Sequence, residues 1–482
     1  MSVTNDTLES IKSAQDISKG FTQATGLVNY DLQAPALKIY PVITPLRNSI
    51  PRVSANGGTA THWKVITAIN TDNVHAGISE GQRGGTTSVA LADKTASYKG
   101  LGLEDYVTFE ADYAAAQFDD AKARAVEGNL LGLMIQEERM ILGGNASVDL
   151  GTTATPVVAV VASGGTLSAT QNVYCVALTM SGAFESSVSG GVKTTYTRTN
   201  ADGSTDTISG FHAAKSAIAT ATISSGSTNS ITASVTAVAG AAAYAWYWGT
   251  TGNEVLGAIT TINSTVITAA AAGTQNITAI TVNSSTSSLD FDGLFSQIIA
   301  SGSGAYIKKL GTGVAGVGTT LTADGAGGCN EVNDAFASFW DNYRLSPEKI
   351  YVSASVLLKL NKIVIANGGA PLIRYAMDAS GNNTISGGVV VTSLLNQVTN
   401  TTVQVEVHPD MPAGMMLFYS SKLPAQFYKY TNAGNLLQLK VRKEYYQTEW
   451  PLRTRKYEYG VYVDELLQNF FTPAFGLITN IA

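Results

Sequence analysis

The chain has 482 residues, with 30 Lys and Arg against 36 Asp and Glu, a formal charge of −6 and a charged fraction of only 14%. At roughly 100–200 residues per domain, that length predicts two to four domains, and a hydrophobic content of 45% suits packed cores. The composition excludes charge-driven disorder, collagen-like repeats and long coiled coils, and its acidic balance argues against gripping nucleic acid by neutralising phosphates.

Residues 1–55 read as a polar arm. Residues 1–6 carry no signal-peptide core, and no apolar run approaches the roughly 20 residues that cross a bilayer. A soluble, cytoplasmically made protein is therefore expected, and the triplet Asn263-Ser264-Thr265 is not expected to carry a glycan. Residues 56–100 are rich in Gly and Thr. The strand-like strings Thr61-His62-Trp63-Lys64-Val65-Ile66 and Leu103-Glu104-Asp105-Tyr106-Val107-Thr108-Phe109 flank the loop-like Gly81-Gln82-Arg83-Gly84-Gly85. This predicts an extended two-stranded arm with a mobile tip, which must pack on a neighbouring copy because it cannot bury itself.

From about residue 111 to 142 there is no Pro, and Val126, Leu130, Leu133, Met134 and Ile141 form one apolar stripe. A single helix of about 48 Å is expected. Asp112, Asp119 and Asp120 lie at its start, Arg139 near its end, and Gly143-Gly144-Asn145 terminates it. Gly128 and Gly132, one turn apart, either admit another backbone or mark a bend.

Only seven charged residues fall between 151 and 288, against 59 in the other 344. Short β-branched runs between Gly, Ser and Asn turns predict an inserted antiparallel β-sandwich there, with loose immunoglobulin- or fibronectin-like signatures. Trp246 and Trp248 share one strand face and read as core. Cys175 and Cys329 read as buried thiols. The four histidines, His62, His75, His212 and His408, lack zinc-site spacing. No metal or cofactor is expected.

Beyond residue 289 the pattern is mixed α and β. Helices are expected from Asn330 to Tyr343 and around Val356 to Ile365, and strands near residues 347–353, 403–407, 415–419, 436–444 and 457–463. Leu437, Leu439 and Val441 alternate with Gln438, Lys440 and Arg442, as on a half-exposed sheet. Two enzyme-like strings fail on context. Gly77-Ile78-Ser79-Glu80-Gly81, beside His75, runs into loop instead of a helix. Gly311-Thr312-Gly313-Val314-Ala315-Gly316 opens no helix. From Lys440 to Glu458, six basic residues interleave with aromatics, while Glu444, Glu449 and Glu458 offset half their charge. Ion pairs between strands or subunits are the expected use, ahead of contact with nucleic acid.

Five strings recur in a telling order: Leu101-Gly102-Leu103-Glu104-Asp105-Tyr106-Val107 leading into the helix, Glu137-Glu138-Arg139-Met140-Ile141-Leu142-Gly143-Gly144-Asn145 closing it, then Leu345-Ser346-Pro347-Glu348-Lys349-Ile350-Tyr351-Val352-Ser353, Arg453-Thr454-Arg455-Lys456-Tyr457-Glu458-Tyr459-Gly460 and Pro473-Ala474-Phe475. Arm, extended loop, spine helix and mixed core in this order resemble the major capsid proteins of tailed bacteriophages, over residues 1–145 and 289–482.

The resemblance implies an α+β, Hong Kong 97-like capsid fold with an inserted all-β sandwich. Its parts would be an N-terminal arm (1–55), an extended loop (56–100), a spine helix with flanking strand (101–145), the insertion (146–288), and the remaining peripheral domain (289–482) with an axial domain at about 308–427. It implies a non-enzymatic subunit that assembles with itself into hexamers and pentamers of an icosahedral head around double-stranded DNA. Such a head is built in the host cytoplasm, without a membrane, and the sandwich would project outward. No long charged helix precedes Pro41, which implies either a separate scaffolding protein or a processed form; a portal and, as an option, a decoration protein are the other implied partners. Glu80, Arg83, Arg442, Arg453 and Arg455 are the expected assembly contacts. No Lys–Asn crosslink is carried over. A nanocompartment shell of the same fold and a surface adhesin are the alternatives.

Overall fold

A computed structural model describes residues 41–70, 77–86, 88–115, 118–366, 373–377, 383–387, 390–429 and 434–482. Residues 1–40 of the expected arm, and His75, lie outside them. The chain is mixed α+β. After a short helix α1 (Pro45–Ser49), strand β1 (Arg52–Ser54) leads to β2 (Ala60–Asn70), β3 (Ser88–Ser97) and β4 (Lys99–Thr108). The two-stranded arm is β2 paired with β3, from Ala60↔Ser97 to Asn70↔Ser88. The Leu103–Phe109 string, expected as its second limb, instead lies in β4 and at the start of the helix that follows, and β4 pairs with a core strand. An 11-residue strand at about 3.3 Å per residue reaches about 36 Å.

The expected single helix is two helices. α2 (Phe109–Ala115) is followed by α3 (Ala121–Gly143), about 34 Å long. Asp119 and Asp120 cause the break. The Asp120 carboxylate accepts the Lys122 and Ala123 N–H groups at 3.0 and 3.1 Å, and the Asp119 carboxylate takes the Asp120 N–H. Short acidic side chains thus cap a new start instead of continuing the old helix. The stripe that α3 buries includes Ala125, Asn129, Leu133, Glu137 and Ile141, at i+4 spacing, with two polar members. Gly132 lies against Leu103, while a side chain at Gly128 would meet open space.

α3 packs on a four-stranded sheet of order β1-β21-β22-β4, where β21 is Leu437–Glu449 and β22 is Lys456–Asn469. The second sheet of the body has six strands: β14 (Tyr306–Lys309), β23 (Gly476–Thr479), β20 (Met416–Tyr419), β15 (Lys349–Val352), β19 (Thr401–Val407) and β18 (Ser393–Asn396), in that order. Helix α6 (Asn330–Tyr343) brings Phe336 and Phe339 against Phe418, and one buried cluster runs through both sheets.

Between them, residues 157–267 form two antiparallel sheets. One has the order β12-β11-β6-β9 (Val255–Thr260, Ala243–Gly249, Gln171–Leu178, Ala219–Ala221). The other has the order β13-β10-β5 (Ser264–Ile267, Ser230–Ser234, Val157–Val161). Val173, Cys175, Tyr244, Trp246, Trp248, Ile231 and Ile267 share one cluster between the sheets. The opposite face of β6 and β11 is covered as well, because Val176, Ala245 and Tyr247 pack with Val192, Ile277 and Ile280.

The chain leaves and returns to the body at one point. Ser287 donates its N–H to the Asn145 carbonyl at 2.8 Å, and Gly293 donates to Gly144 at 2.9 Å. Gly144 has φ −56°, so it is no left-handed cap. It is glycine because a Cβ there would lie 2.5 Å from the Phe291 carbonyl oxygen. The region is also bonded to the body: the Asn263 N–H donates to Asn480 Oδ1 at 2.8 Å, and Asn480 Nδ2 donates to Asn263 Oδ1 at 3.0 Å. With Asn263 buried in this pair, its side chain is closed to a glycan.

Candidate assembly interface

The β2–β3 hairpin carries its apolar residues outward. Ile66 and Leu91 are direct cross-strand partners, 65% and 60% exposed, and Val89 is 52% exposed. Burying such a side chain is worth about 1.5–3 kcal/mol, and among the described residues nothing covers these. The base, by contrast, is anchored. Thr61 Oγ1 lies 2.6 Å from Tyr98 Oη, the Trp63 ring meets Phe470 edge-on at 6.4 Å, and Arg442 sits over Tyr98 while donating to the Gly58 carbonyl. At the tip the Gln82 N–H donates to the Ser79 carbonyl, with Gly81 at φ +78° supplying the left-handed turn.

Where segment 44–52 meets the body, a knot of buried charge holds it. Glu137, Glu138 and Glu465 are fully buried and His408 is 1% exposed. Glu138 accepts the Leu46 and Arg47 N–H groups at 2.9 and 2.7 Å, so a carboxylate from α3 caps α1 in place of Thr44, which makes no side-chain cap. The Asp410 N–H donates to His408 Nδ1, which leaves the Nε2 proton to bond Glu138 Oε1 at 2.6 Å. Glu137 takes Arg47 and Arg52 at 2.7 and 2.5 Å together with the Tyr445 hydroxyl. Arg52 also reaches Glu465 at 2.8 Å and Glu444 at 2.7 Å. Burial and the neighbouring Glu137 push the Glu465 carboxyl up to about 8, and its Oε1 has no partner. Three elements, the segment before the arm, the spine helix and the central strands, are thereby bound through charge.

The expected contact residues fall in three places. Glu80 and Arg83 are exposed at the hairpin tip, without an ion pair among the described residues. Arg442 lies at the hairpin base, bonded to Asp464 at 2.9 Å. Arg453 is exposed in the β21–β22 turn, and Arg455 there pairs with Glu110 at 2.7 Å, both well exposed. The sequence reading missed the knot. The signal was Glu137 standing four residues from both Leu133 and Ile141, a position that faces the core.

Among the described residues no group of His, Cys, Asp and Glu could hold a metal ion, and no helix is long and apolar enough to cross a membrane. Cys175 and Cys329 are buried and free, and burial pushes both thiols up. The Gly77–Gly81 and Gly311–Gly316 strings are loops.

No protein-family model matches the chain, and no curated protein does. Among solved structures, the chain is similar to the capsid of Myoviridae phage XM1, at 10% identity and TM-score 0.44, over 96% of this chain and 99% of that one. It is similar to the capsid of the native GTA particle at 9% identity and TM-score 0.43, over 98% and 100% of the two chains. It is also similar to the holo-SrpI encapsulin complex of Synechococcus elongatus, at 9% identity and TM-score 0.36, over 95% and 94%.

Proposed function

We propose that the protein is a structural subunit of a phage head, assembling with itself into hexamers and pentamers of a closed icosahedral shell around double-stranded DNA. The observation that carries this reading is the hairpin: about 36 Å of strand, rooted in the body, whose outward Ile66, Leu91 and Val89 find no cover among the described residues. A lone soluble protein gains nothing from such an arm, whereas a lattice of identical copies covers it everywhere. The net charge of −6 fits a container that holds DNA without adhering to it. Residues 146–288 would stand as an appendage on the outer surface, since both their ends meet at one backbone pair, Asn145 and Ser287.

Negative-stain microscopy of the purified chain, alone or with a scaffold, tests this. Closed shells are expected, and a chain lacking residues 147–288 still forms them. Monomers and small oligomers under every assembly condition would sink the shell reading. Shells carrying protein cargo instead of DNA would assign the chain to a nanocompartment.

A further inference from the structure

The two sheets of residues 157–267 end in four edge strands, and all but one are covered or short. Along β12 the Leu256 N–H donates to the Gln275 carbonyl and the Leu256 carbonyl takes the Gly273 N–H, both at 2.9 Å. Beside β13 the Gly316 N–H donates to Ser264 Oγ at 3.1 Å, and β9 has only three residues. β5 (Val157–Val161) is the exception. It pairs with β10 on one side, from Val157↔Ser234 to Val161↔Ser230 with no bulge, and ends the sheet on the other. Such an edge presents a row of backbone N–H and C=O groups to whatever lies beside it. Among the described residues no backbone group outside β10 bonds to this row. Four of the five residues are exposed, Val157 at 72%, and even Val160, paired with the buried Ile231, at 38%. Edges left open in a soluble protein are ordinarily protected by a charge, a bulge or a Pro within the strand. β5 has none of these, and no charged residue falls between Gly151 and Phe184.

The chemistry of the strand selects its occupant. Its side chains hold no hydrogen-bond donor or acceptor, so a sugar or a charged ligand meets only methyl groups, and the open backbone row is what β5 offers. That row fits another strand. The sequence Val157-Val158-Ala159-Val160-Val161 is a palindrome centred on Ala159. Laid antiparallel against a second copy of itself, it sets Val157 opposite Val161, Val158 opposite Val160, and Ala159 opposite Ala159. Every large side chain then meets a large one, the small ones meet on the axis, and no like charges are brought together. We propose that β5 is a two-fold contact between copies of this chain. The antiparallel pair fuses two three-stranded sheets into one of six, in the order β13-β10-β5 and then β5-β10-β13 of the second copy. Because the same patch serves both partners, the contact closes after two copies and does not run on into fibres. It rests on the shell reading above for its setting, where it ties the appendage of one subunit to that of a neighbour.

Cysteines placed along β5 of the full-length chain test the register, and both native cysteines are buried, so background coupling is low. Directly opposed residues of antiparallel strands lie about 4.5–5.5 Å apart, within disulfide reach. Ala159→Cys alone is therefore expected to give covalent dimers in assembled particles, read on a non-reducing gel. Val161→Cys alone gives none, because the two copies of that position lie about 13 Å apart along the paired strands. Adding Val157→Cys to Val161→Cys restores the dimer. Particles of Ala159→Cys without dimers, or Val161→Cys coupling as fully as Ala159→Cys, would overturn the contact while leaving the shell reading intact. A chain that never forms particles yet couples at Ala159 and not at Val161 keeps the contact and removes the shell reading. A chain that does neither removes both.

Discussion

The body and the region of residues 151–288 bury polar groups in their cores with different chemistry. In the body the buried polar groups include ionisable side chains: Glu137, Glu138 and Glu465 together with Arg47, Arg52 and His408. Between residues 151 and 288 there are only seven charged residues to use, and apart from the buried Glu254, which accepts from Asn172 Nδ2 at 2.9 Å, the interior bonds named here join neutral groups. Trp246 Nε1 donates to Thr260 Oγ1, the Tyr247 hydroxyl to Gln275 Oε1, and Asn263 exchanges bonds with Asn480. Ionic networks join distant segments strongly but respond to pH and fail badly when one member is lost. Amide and hydroxyl networks do not titrate in the ordinary pH range and lose less when one member goes. The charged solution sits where the segment before the arm, α3 and the central strands are bound to one another, and the neutral one sits within and at the edge of residues 151–288.

Removing one ion should break this contrast most visibly. Glu137→Ala leaves Arg47 and Arg52 without their shared partner and is expected to cost about 3–5 kcal/mol, measured by denaturant unfolding. A cost below 1 kcal/mol would mean the knot is ornamental.

The neutral junction should yield less. Asn480→Leu strands the buried Asn263 amide and is expected to cost about 1–3 kcal/mol, with no change in the pH profile of unfolding. An altered pH profile would blur the distinction between the two regions.

The smallest effect sharpens the contrast. A carboxyl whose pKa rises on folding binds its proton more tightly in the folded state. The contribution of Glu465 to stability therefore falls as pH rises from the usual carboxylate range through about 8. Glu465→Gln should flatten the thermal-stability profile across that window. A variant as steep as the parent would place the pH dependence elsewhere in the knot.

How much of this was readable beforehand follows from the range of the interactions involved. Helix α6 spans the expected residues 330–343, because an amphipathic period is written locally. The alternation in β21 was equally plain: Leu437, Leu439 and Val441 are buried while Arg442 is exposed. Trp246 and Trp248 lie in one buried cluster, as a strand with period two requires. The break before Ala121 could have been read from Asp119-Asp120, whose capping habit competes with helix continuation. Strand β3 was harder to see, since the Ala-rich run from Ser88 to Ser97 has little strand propensity and is ordered by its pairing with β2.

By itself the sequence determined the periodic elements and the location of the nearly neutral region, both properties of neighbours along the chain. Only the tertiary structure decided that Glu138 caps a helix 92 residues away and that Asn263 meets Asn480 across 217. Side chains so far apart are brought together by packing, and no local pattern records which partner the folded chain will present.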